Sequence, residues 1–483
     1  MSRDIELLLA SADDDRPALS GGLPLESAGR EPDPSAGEGP VSFADFASDP
    51  DDLSIQRWGV IAPEGPLGDR LLAAVEPLIR LREEQQGAPA RVYRAPSQMT
   101  REAAQKWKSR VYWDESVAEE DLPRYLLILG DLDEVSLELQ QALSTDLFVG
   151  RLAGSAADLA RYVEKVERWS RSPGRGDPRA LFFTARDGTA ATTIGYQALV
   201  APSVTRCRER RDKGTFRASS IDEIGYESAV DAKKALLASV AVPEPAMLFS
   251  MSHGLGAPRG GWLSEDEQRA VQGTMSLGAG VRLTAEEVAK GAFLPGGVWF
   301  FLACYGGGTP STSAYFHWLS QLRETGGFAG RVDSVLAGLP KGGDRPFLAA
   351  LPKAAISNPD GPLAILAHVD LAWTYGFLDT SDGGRNKPSR FLGIFRSLVG
   401  GSRAGAAFFQ LVRFLGEASV ELTSMYDSEA RAPNVPVSPE RTRSKADLWM
   451  LRQDLGGYVL LGDPAVKLPM NRGPRANPLL EAR

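Results

Sequence analysis

Two side chains stand out for covalent chemistry, a histidine and a cysteine that each close an apolar run and are followed by glycine-rich turns. His253 ends Phe249-Ser-Met-Ser-His253-Gly-Leu-Gly, and Cys304 ends Phe300-Phe-Leu-Ala-Cys304-Tyr-Gly-Gly-Gly. A free thiol is only about a few per cent ionised near neutral pH, so a nucleophilic cysteine needs a base beside it. His253 supplies one. The chemistry implied is attack of the Cys304 thiolate on a carbonyl, with His253 passing the proton to the departing amine. Glycine lets backbone approach a substrate closely, and the N–H groups of Gly254 and Cys304 are candidate donors to the oxyanion of a tetrahedral intermediate.

Both motifs need strands that end at one place. In open parallel sheets, ligands bind beyond the carboxyl ends of the strands, so adjacent strands ending in His253 and Cys304 would share a crevice. The interval of 51 residues leaves room for a helical crossover and a loop. Continuous apolar runs at Trp58-Gly-Val-Ile-Ala-Pro, Tyr125-Leu-Leu-Ile-Leu, Phe148-Val-Gly-Arg-Leu, Ala180-Leu-Phe-Phe-Thr-Ala, Ala246-Met-Leu-Phe-Ser-Met, Val298-Trp-Phe-Phe-Leu-Ala and Leu363-Ala-Ile-Leu-Ala-His-Val read as strands buried on both faces. Helical periodicity follows from Leu71 and again over about 155–169, which predicts alternating strands and helices in a parallel-rich α/β sheet. The Pro- and Gly-broken stretch from Ser170 to Arg179 reads as a linker. Residues 1–54, rich in Ser, Gly, Pro, Asp and Glu, read as a flexible acidic tail or a pro-segment.

The 483 residues carry a formal net charge of −8 and show no basic footprint for nucleic acid or an anionic membrane. No apolar run approaches the roughly 20 residues that span a bilayer, and the amino terminus lacks the basic-then-apolar order of an export signal. A cytoplasmic location is expected. With two cysteines there is neither a disulfide framework nor a thiolate metal cluster, and the chemistry calls for no metal or organic cofactor.

Other reactive types have ordinary readings. Cys207, among the arginines of the basic segment Arg206–Arg217, reads as a solvated, incidental thiol; the segment itself is either a solvated loop or an exposed site for proteolytic nicking. His317 sits in a helical pattern and His368 follows a buried strand, where packing is the expectation for both. Asp131, Asp133 and Glu134 form an acidic turn. Trp373 and Tyr375 are candidates to line a pocket, or core aromatics.

The order of these motifs resembles the caspase-like cysteine peptidases, and Tyr125-Leu-Leu-Ile-Leu-Gly-Asp, Phe148-Val-Gly-Arg-Leu, Met251-Ser-His-Gly, Leu302-Ala-Cys-Tyr-Gly and Val459-Leu-Leu-Gly-Asp-Pro-Ala-Val resemble the gingipain branch. The likeness runs from about residue 57 to 470. The caspase signature places Gln-Ala-Cys at the nucleophile with its histidine about 50 residues upstream. This chain keeps the interval but reads Leu302-Ala303-Cys304, so aspartate specificity is not implied. What the resemblance implies is a caspase-hemoglobinase fold, with a parallel-rich sheet flanked by helices and an N-terminal gingipain-like α/β subdomain, a Cys304–His253 dyad, and peptide-bond hydrolysis. Gingipains bind a basic side chain at the cleavage position through an acidic residue. Asp187 stands near the expected place, although Asp-Gly is also a plain turn signal.

The expected organisation is a tail over 1–54, an N-terminal α/β subdomain over 55–170, a catalytic subdomain over 178–475 and a C-terminal tail over 476–483. The expected activity is cysteine endopeptidase cleavage of protein or peptide substrates, after basic residues if Asp187 serves as the acid that binds them. Its control would come from an activating protease or an inhibitory partner in a bacterial defence or stress pathway. The alternatives are an inactive caspase-like scaffold that binds partners, or an amidohydrolase or transferase acting on a small amide.

Overall fold

In the computed structural model the described residues are 4–19, 21–24, 27, 49–325, 329–379, 384–432 and 435–471. The expected C-terminal tail and most of the second half of the expected N-terminal tail lie outside them. Among the described residues no helix is long and apolar enough to cross a membrane.

The seven apolar runs named above all form strands, and among the described residues eleven further strands accompany them. In chain order they are β1 (Leu9–Ser11), β2 (Trp58–Pro63), β3 (Arg91–Ala95), β4 (Tyr125–Leu129), β5 (Phe148–Leu152), β6 (Arg179–Thr184), β7 (Ile221–Glu223), β8 (Ala246–Met251), β9 (His253–Gly256), β10 (Met275–Gly278), β11 (Val281–Leu283), β12 (Val298–Leu302), the short β13 (Gly308–Thr309), β14 (Phe347–Leu348), β15 (Ala364–His368), β16 (Leu378–Asp379), β17 (Arg385–Asn386) and β18 (Tyr458–Leu461). Ten make one sheet in the order β3-β2-β4-β5-β18-β15-β12-β8-β6-β7. Every neighbouring pair is parallel except β15 with β18. This is a mixed α/β fold with a parallel-rich sheet flanked by helices. Residues of β4, β8, β12 and β15 are buried throughout, as a sheet covered on both faces requires.

The expected N-terminal and catalytic segments contribute to the same sheet, joined where Leu461 of β18 pairs with Arg151 of β5. The Gly-Asp-Pro motif after β18 seals the join. Asp463 accepts from the Trp58 indole at 3.0 Å and forms a buried ion pair with Arg82 at 2.6 Å, while its amide donates to the Tyr162 hydroxyl. Buried charges of this kind hold only when fully paired. Gly150 is required here: a Cβ would lie 2.2 Å from the Gly462 carbonyl.

On one face of the sheet, Phe182, Phe249 and Phe300 from β6, β8 and β12 pack edge-on against Phe391 and Phe395 of the helix Ser389–Val399. The helix Ala156–Arg171 begins at Ser155 with the capping box that its Ser-x-x-Asp pattern encodes.

Two segments depart from the expectation. Residues 4–19 do not hang free: β1 joins a second sheet in the order β1-β9-β10-β11. Ile5, Leu7, Leu8, Leu9 and Ala10 are all buried. The acidic and Pro-rich surroundings conceal an apolar run long enough to repay its ordering. The basic segment is likewise not a solvated loop. Its first half is the C-terminal part of the helix Ala201–Asp212, whose inner side buries Val204 and Cys207, and Phe216 is buried beyond it. Cys207 is thus an enclosed thiol, pushed up to about 12 by burial.

Candidate active site

Strands β8 and β12 lie side by side in parallel, with Met251 opposite Leu302, so His253 and Cys304 emerge at the same sheet edge. After Ser252 the chain leaves the main sheet and becomes β9, pairing antiparallel with β10, where His253 faces Ser276. The two turns nest against each other. A Cβ on residue 254 would sit 1.8 Å from the Cys304 carbonyl oxygen, so only glycine lets His253 and Cys304 share this corner. Tyr305, next to Cys304, takes a left-handed φ of 55°, an unusual conformation for a tyrosine.

The His253 ring is fully buried and held along one edge. Its Nε2 lies 2.9 Å from the Thr189 hydroxyl and 3.5 Å from an Asp187 carboxylate oxygen. The other Asp187 oxygen accepts from the hydroxyls of Thr189 at 2.8 Å and Thr192 at 2.7 Å. Nδ1 is buried without a hydrogen-bond partner. This network favours the tautomer with hydrogen on Nε2, leaving Nδ1 free to take a proton. Burial lowers the His253 pKa, and the Asp187 carboxylate and the Leu8 backbone beside the ring oppose that by stabilising the cation.

The Cys304 thiol is also fully buried. Its sulfur receives the Ala372 amide at 3.2 Å, and burial pushes its pKa well above the ordinary thiol range. A thiol in this state is unreactive. The enclosing element is the N-terminal segment. The Leu8 carbonyl accepts from Gly254 N at 3.1 Å and from Cys304 N at 3.3 Å, and the Leu8 amide donates to the Ala372 carbonyl at 3.4 Å. Leu7 bridges Trp373 in antiparallel sense, and β1 runs parallel to β9 with Leu9 opposite Gly254. Beyond the crevice the segment is latched by Arg282, which donates to an Asp15 carboxylate oxygen and to the Ala12 carbonyl, each at 2.8 Å. Arg259 adds contacts to Asp13 and Asp14.

Of the residues singled out by sequence, Cys304, His253, Gly254, Asp187 and Trp373 come together around this corner. Asp187 is turned to His253, and Trp373 stands opposite Leu7 of the segment, its amide donating to Asp454 and its indole packed between Tyr315 and Trp318. His317 is exposed on the helix Phe316–Glu324, away from the site. His368 is buried behind Cys304, its nitrogens facing the carbonyls of Asp370 and Asp454, and burial lowers it to about 4. Asp370 and Asp454, both raised by burial to about 7, stand near the same corner. Asp131 caps its own turn and also takes the Leu348 amide.

Sequence reasoning overlooked Thr189, Thr192, Ala372, Asp454 and residues 5–11. For the threonines the signal was present, since Asp-x-Thr-x-x-Thr can only bring hydroxyls back onto the carboxylate if residue 189 caps a helix, as it does for Ala190–Gly195.

No family model matches the chain, and no curated protein matches it. Among solved structures, the chain is similar to the Arg-specific cysteine proteinase gingipain R, with a TM-score of 0.45 and 13% identity over 89% of this chain and 80% of that one.

Proposed function

We propose that the chain is a cysteine endopeptidase held latent by its own N-terminal segment. One observation carries the reading: a peptide carbonyl, that of Leu8, already rests on the backbone donors Gly254 N and Cys304 N, beside a thiol and an oriented imidazole. Paired amides at a nucleophile have a use when that carbonyl carbon becomes tetrahedral and its oxygen takes charge.

In the reaction His253 Nδ1 takes the Cys304 proton and the thiolate adds to the substrate carbonyl. The negative oxygen is held by the two amides. The carbon–nitrogen bond then breaks as His253 returns the proton to the leaving amine, leaving a thioester. Water, deprotonated by His253, hydrolyses the thioester to a carboxylate and restores the thiol. Asp187 and Thr189 position the ring and stabilise its cation. Substrates are extended protein or peptide segments that replace residues 7–11 along Ala372-Trp373 and β9. Access requires the segment to leave, by cleavage elsewhere in the chain or by a partner that draws it away. Such a latch would suit a cytoplasmic peptidase in a bacterial defence or stress pathway.

The scaffold alternative leaves the orientation of His253 by Asp187 without a purpose. The decisive experiment is cleavage of denatured casein by the wild type, Cys304→Ala and His253→Ala, each before and after limited nicking. Fragments that appear with the nicked wild type and vanish in both variants support the peptidase; no Cys304-dependent fragment under any condition sinks it.

A further inference from the structure

We infer that residues 5–11 occupy the crevice in the register of a substrate, with Leu8 immediately before the bond under attack, so that the enzyme selects an aliphatic side chain at the cleavage position. The inference rests on the peptidase reading and extends it to the substrate.

The register follows from a single carbonyl. In acyl transfer, the oxygen held by the oxyanion donors belongs to the residue that precedes the scissile bond. Here that oxygen is Leu8's, held by Gly254 N and Cys304 N, and the corresponding bond joins Leu8 to Leu9. Extended pairing continues on both sides, antiparallel from Leu7 to Trp373 and parallel from β1 to β9. This is strand addition to an open edge, in which backbone bonds give affinity and side-chain pockets give selectivity. The segment does not merely lie over the thiol; it uses the polar groups that a substrate needs.

The Leu8 side chain is fully buried and continuous with the hydrophobic core. A basic residue there would need a carboxylate free to meet it, and among the buried acids Asp187, Asp370 and Asp454 the oxygen without a hydrogen bond, Oδ2 of Asp187, is turned to His253 at 3.5 Å. Asp187 accepts from Thr189 and Thr192 and faces His253. Asp370 takes the Ser313 hydroxyl and the amides of Ala314 and Leu371, and Asp454 takes the amides of Trp373 and Gly376. Burying an arginine or lysine there would leave a charge unpaired. On the leaving-group side Leu9 lies against Gly256, where a Cβ would approach its side chain to 2.7 Å. That site too is shaped for a branched aliphatic residue.

Two measurements on the full-length chain test the register and keep it distinct from the peptidase reading. In the first, Leu8→Asp and, as a surface variant that spares the core, Arg282→Ala are used to release the segment. Each is incubated with denatured casein, and Cys304-dependent cut sites are read by mass spectrometry. Most cuts are expected after Leu, Ile or Met. In the second, a labelled peptide spanning Asp4 to Ser11 is titrated into the Cys304→Ala form of each variant, beside peptides with Arg or Asp in place of Leu8. The leucine peptide is expected to bind at least about tenfold more tightly, as each 1.4 kcal/mol of lost burial is worth a factor of ten. Cuts after Arg, Lys or Asp overturn the inference while leaving the peptidase standing. Selective binding of the leucine peptide without any cleavage upholds the register and sinks the peptidase. Equal binding of the three peptides overturns the register whether or not casein is cut.

Discussion

Replacing Leu8 by aspartate should expose Cys304, and the size of the effect can be worked from the segment's contacts. Leu8 is fully buried, and withdrawing a leucine from water is worth about 1.5–3 kcal/mol. An ionised carboxylate left in the same place, with the nearby acids already satisfied, costs several kcal/mol more, so about 4–5 kcal/mol is taken from docking. At tenfold per 1.4 kcal/mol, the open fraction rises on the order of a thousandfold. Arg282→Ala is the milder test. Its two bonds to the segment are partly exposed, so a loss of about 1 kcal/mol and a roughly fivefold rise are expected. The assay is iodoacetamide modification of the native chain at neutral pH, with the rate at each cysteine followed by peptide mapping. When opening is fast relative to alkylation, the rate tracks the open population. Cys304 should react slowest in the wild type, faster in Arg282→Ala and fastest in Leu8→Asp, while Cys207 stays slow throughout. If Cys207 accelerates in step with Cys304 the variants have loosened the whole fold, and if neither variant raises the Cys304 rate the segment is not its seal.

Substituting Asp187 by alanine should lower kcat of the opened enzyme by about 10²–10⁴ with little change in KM, as expected when a general base loses its orienting group. Because the Asp187 carboxylate stabilises protonated His253, the same variant should move the acid limb of the pH–rate profile to lower pH; an unshifted limb would contradict the assigned contact. Gly254→Ala forces a Cβ to 1.8 Å from the Cys304 carbonyl, so a loss of about 3 kcal/mol or more in stability is expected by denaturant titration, and an unchanged midpoint would mean the corner is looser than described. Asp370 and Asp454, raised to about 7, bind protons in the folded chain that the unfolded chain has released, so their stabilising contribution is lost as pH rises from their unfolded values through 7. His368, lowered to about 4, and His253 act in the opposite sense, because the unfolded chain takes up their protons first as pH falls through about 6.5. The two pairs therefore pull stability in opposite directions between about pH 8 and pH 6, and Asp454→Asn, which removes one of the aspartate contributions, should lower the melting temperature relative to the wild type more at pH 6 than at pH 8.

The elements that carry the site were legible because a strand buried on both faces has little choice of residue. Tyr125-Leu-Leu-Ile-Leu and Val298-Trp-Phe-Phe-Leu are unbroken apolar runs, and their ends in Gly-Asp and Ala-Cys mark where the sheet stops. The adjacency of His253 and Cys304 followed from the same rule. The N-terminal segment escaped because composition was averaged over 54 residues, in which Ile5-Glu-Leu-Leu-Leu-Ala is diluted by tracts of Asp, Pro and Ser. Cys207 was obscured in a similar way: the arginines around it occupy the outer side of the helix, and an amphipathic helix with one narrow apolar stripe looks like a charge run when read linearly. Asp187 was noticed for its position, but its partner depends on a helix cap at Thr189 and on a histidine 66 positions away, a contact that local spacing does not encode. Asp454 gave no signal, because it lies within the helix Pro439–Gly456 among other polar residues and its meaning comes from the backbone amides it meets.

If the segment is a latch as proposed, its place in the same chain would let modest contacts keep the site closed. A tethered ligand competes at an effective concentration of about millimolar, whatever the concentration of the enzyme. Leu7, Leu8 and Leu9 therefore need only moderate intrinsic affinity to exclude substrates present at micromolar levels. The same arithmetic says what opens the site. A cut between the segment and the sheet leaves every contact of residues 4–19 intact but turns the tethered ligand into a free peptide, whose concentration is only that of the protein. The latch then fails on dilution without any change at Cys304, His253 or Asp187. On the proposed reading, control would reside in chain connectivity, and the corner of Cys304 and His253 could stay preorganised with the Leu8 carbonyl where a substrate carbonyl would rest.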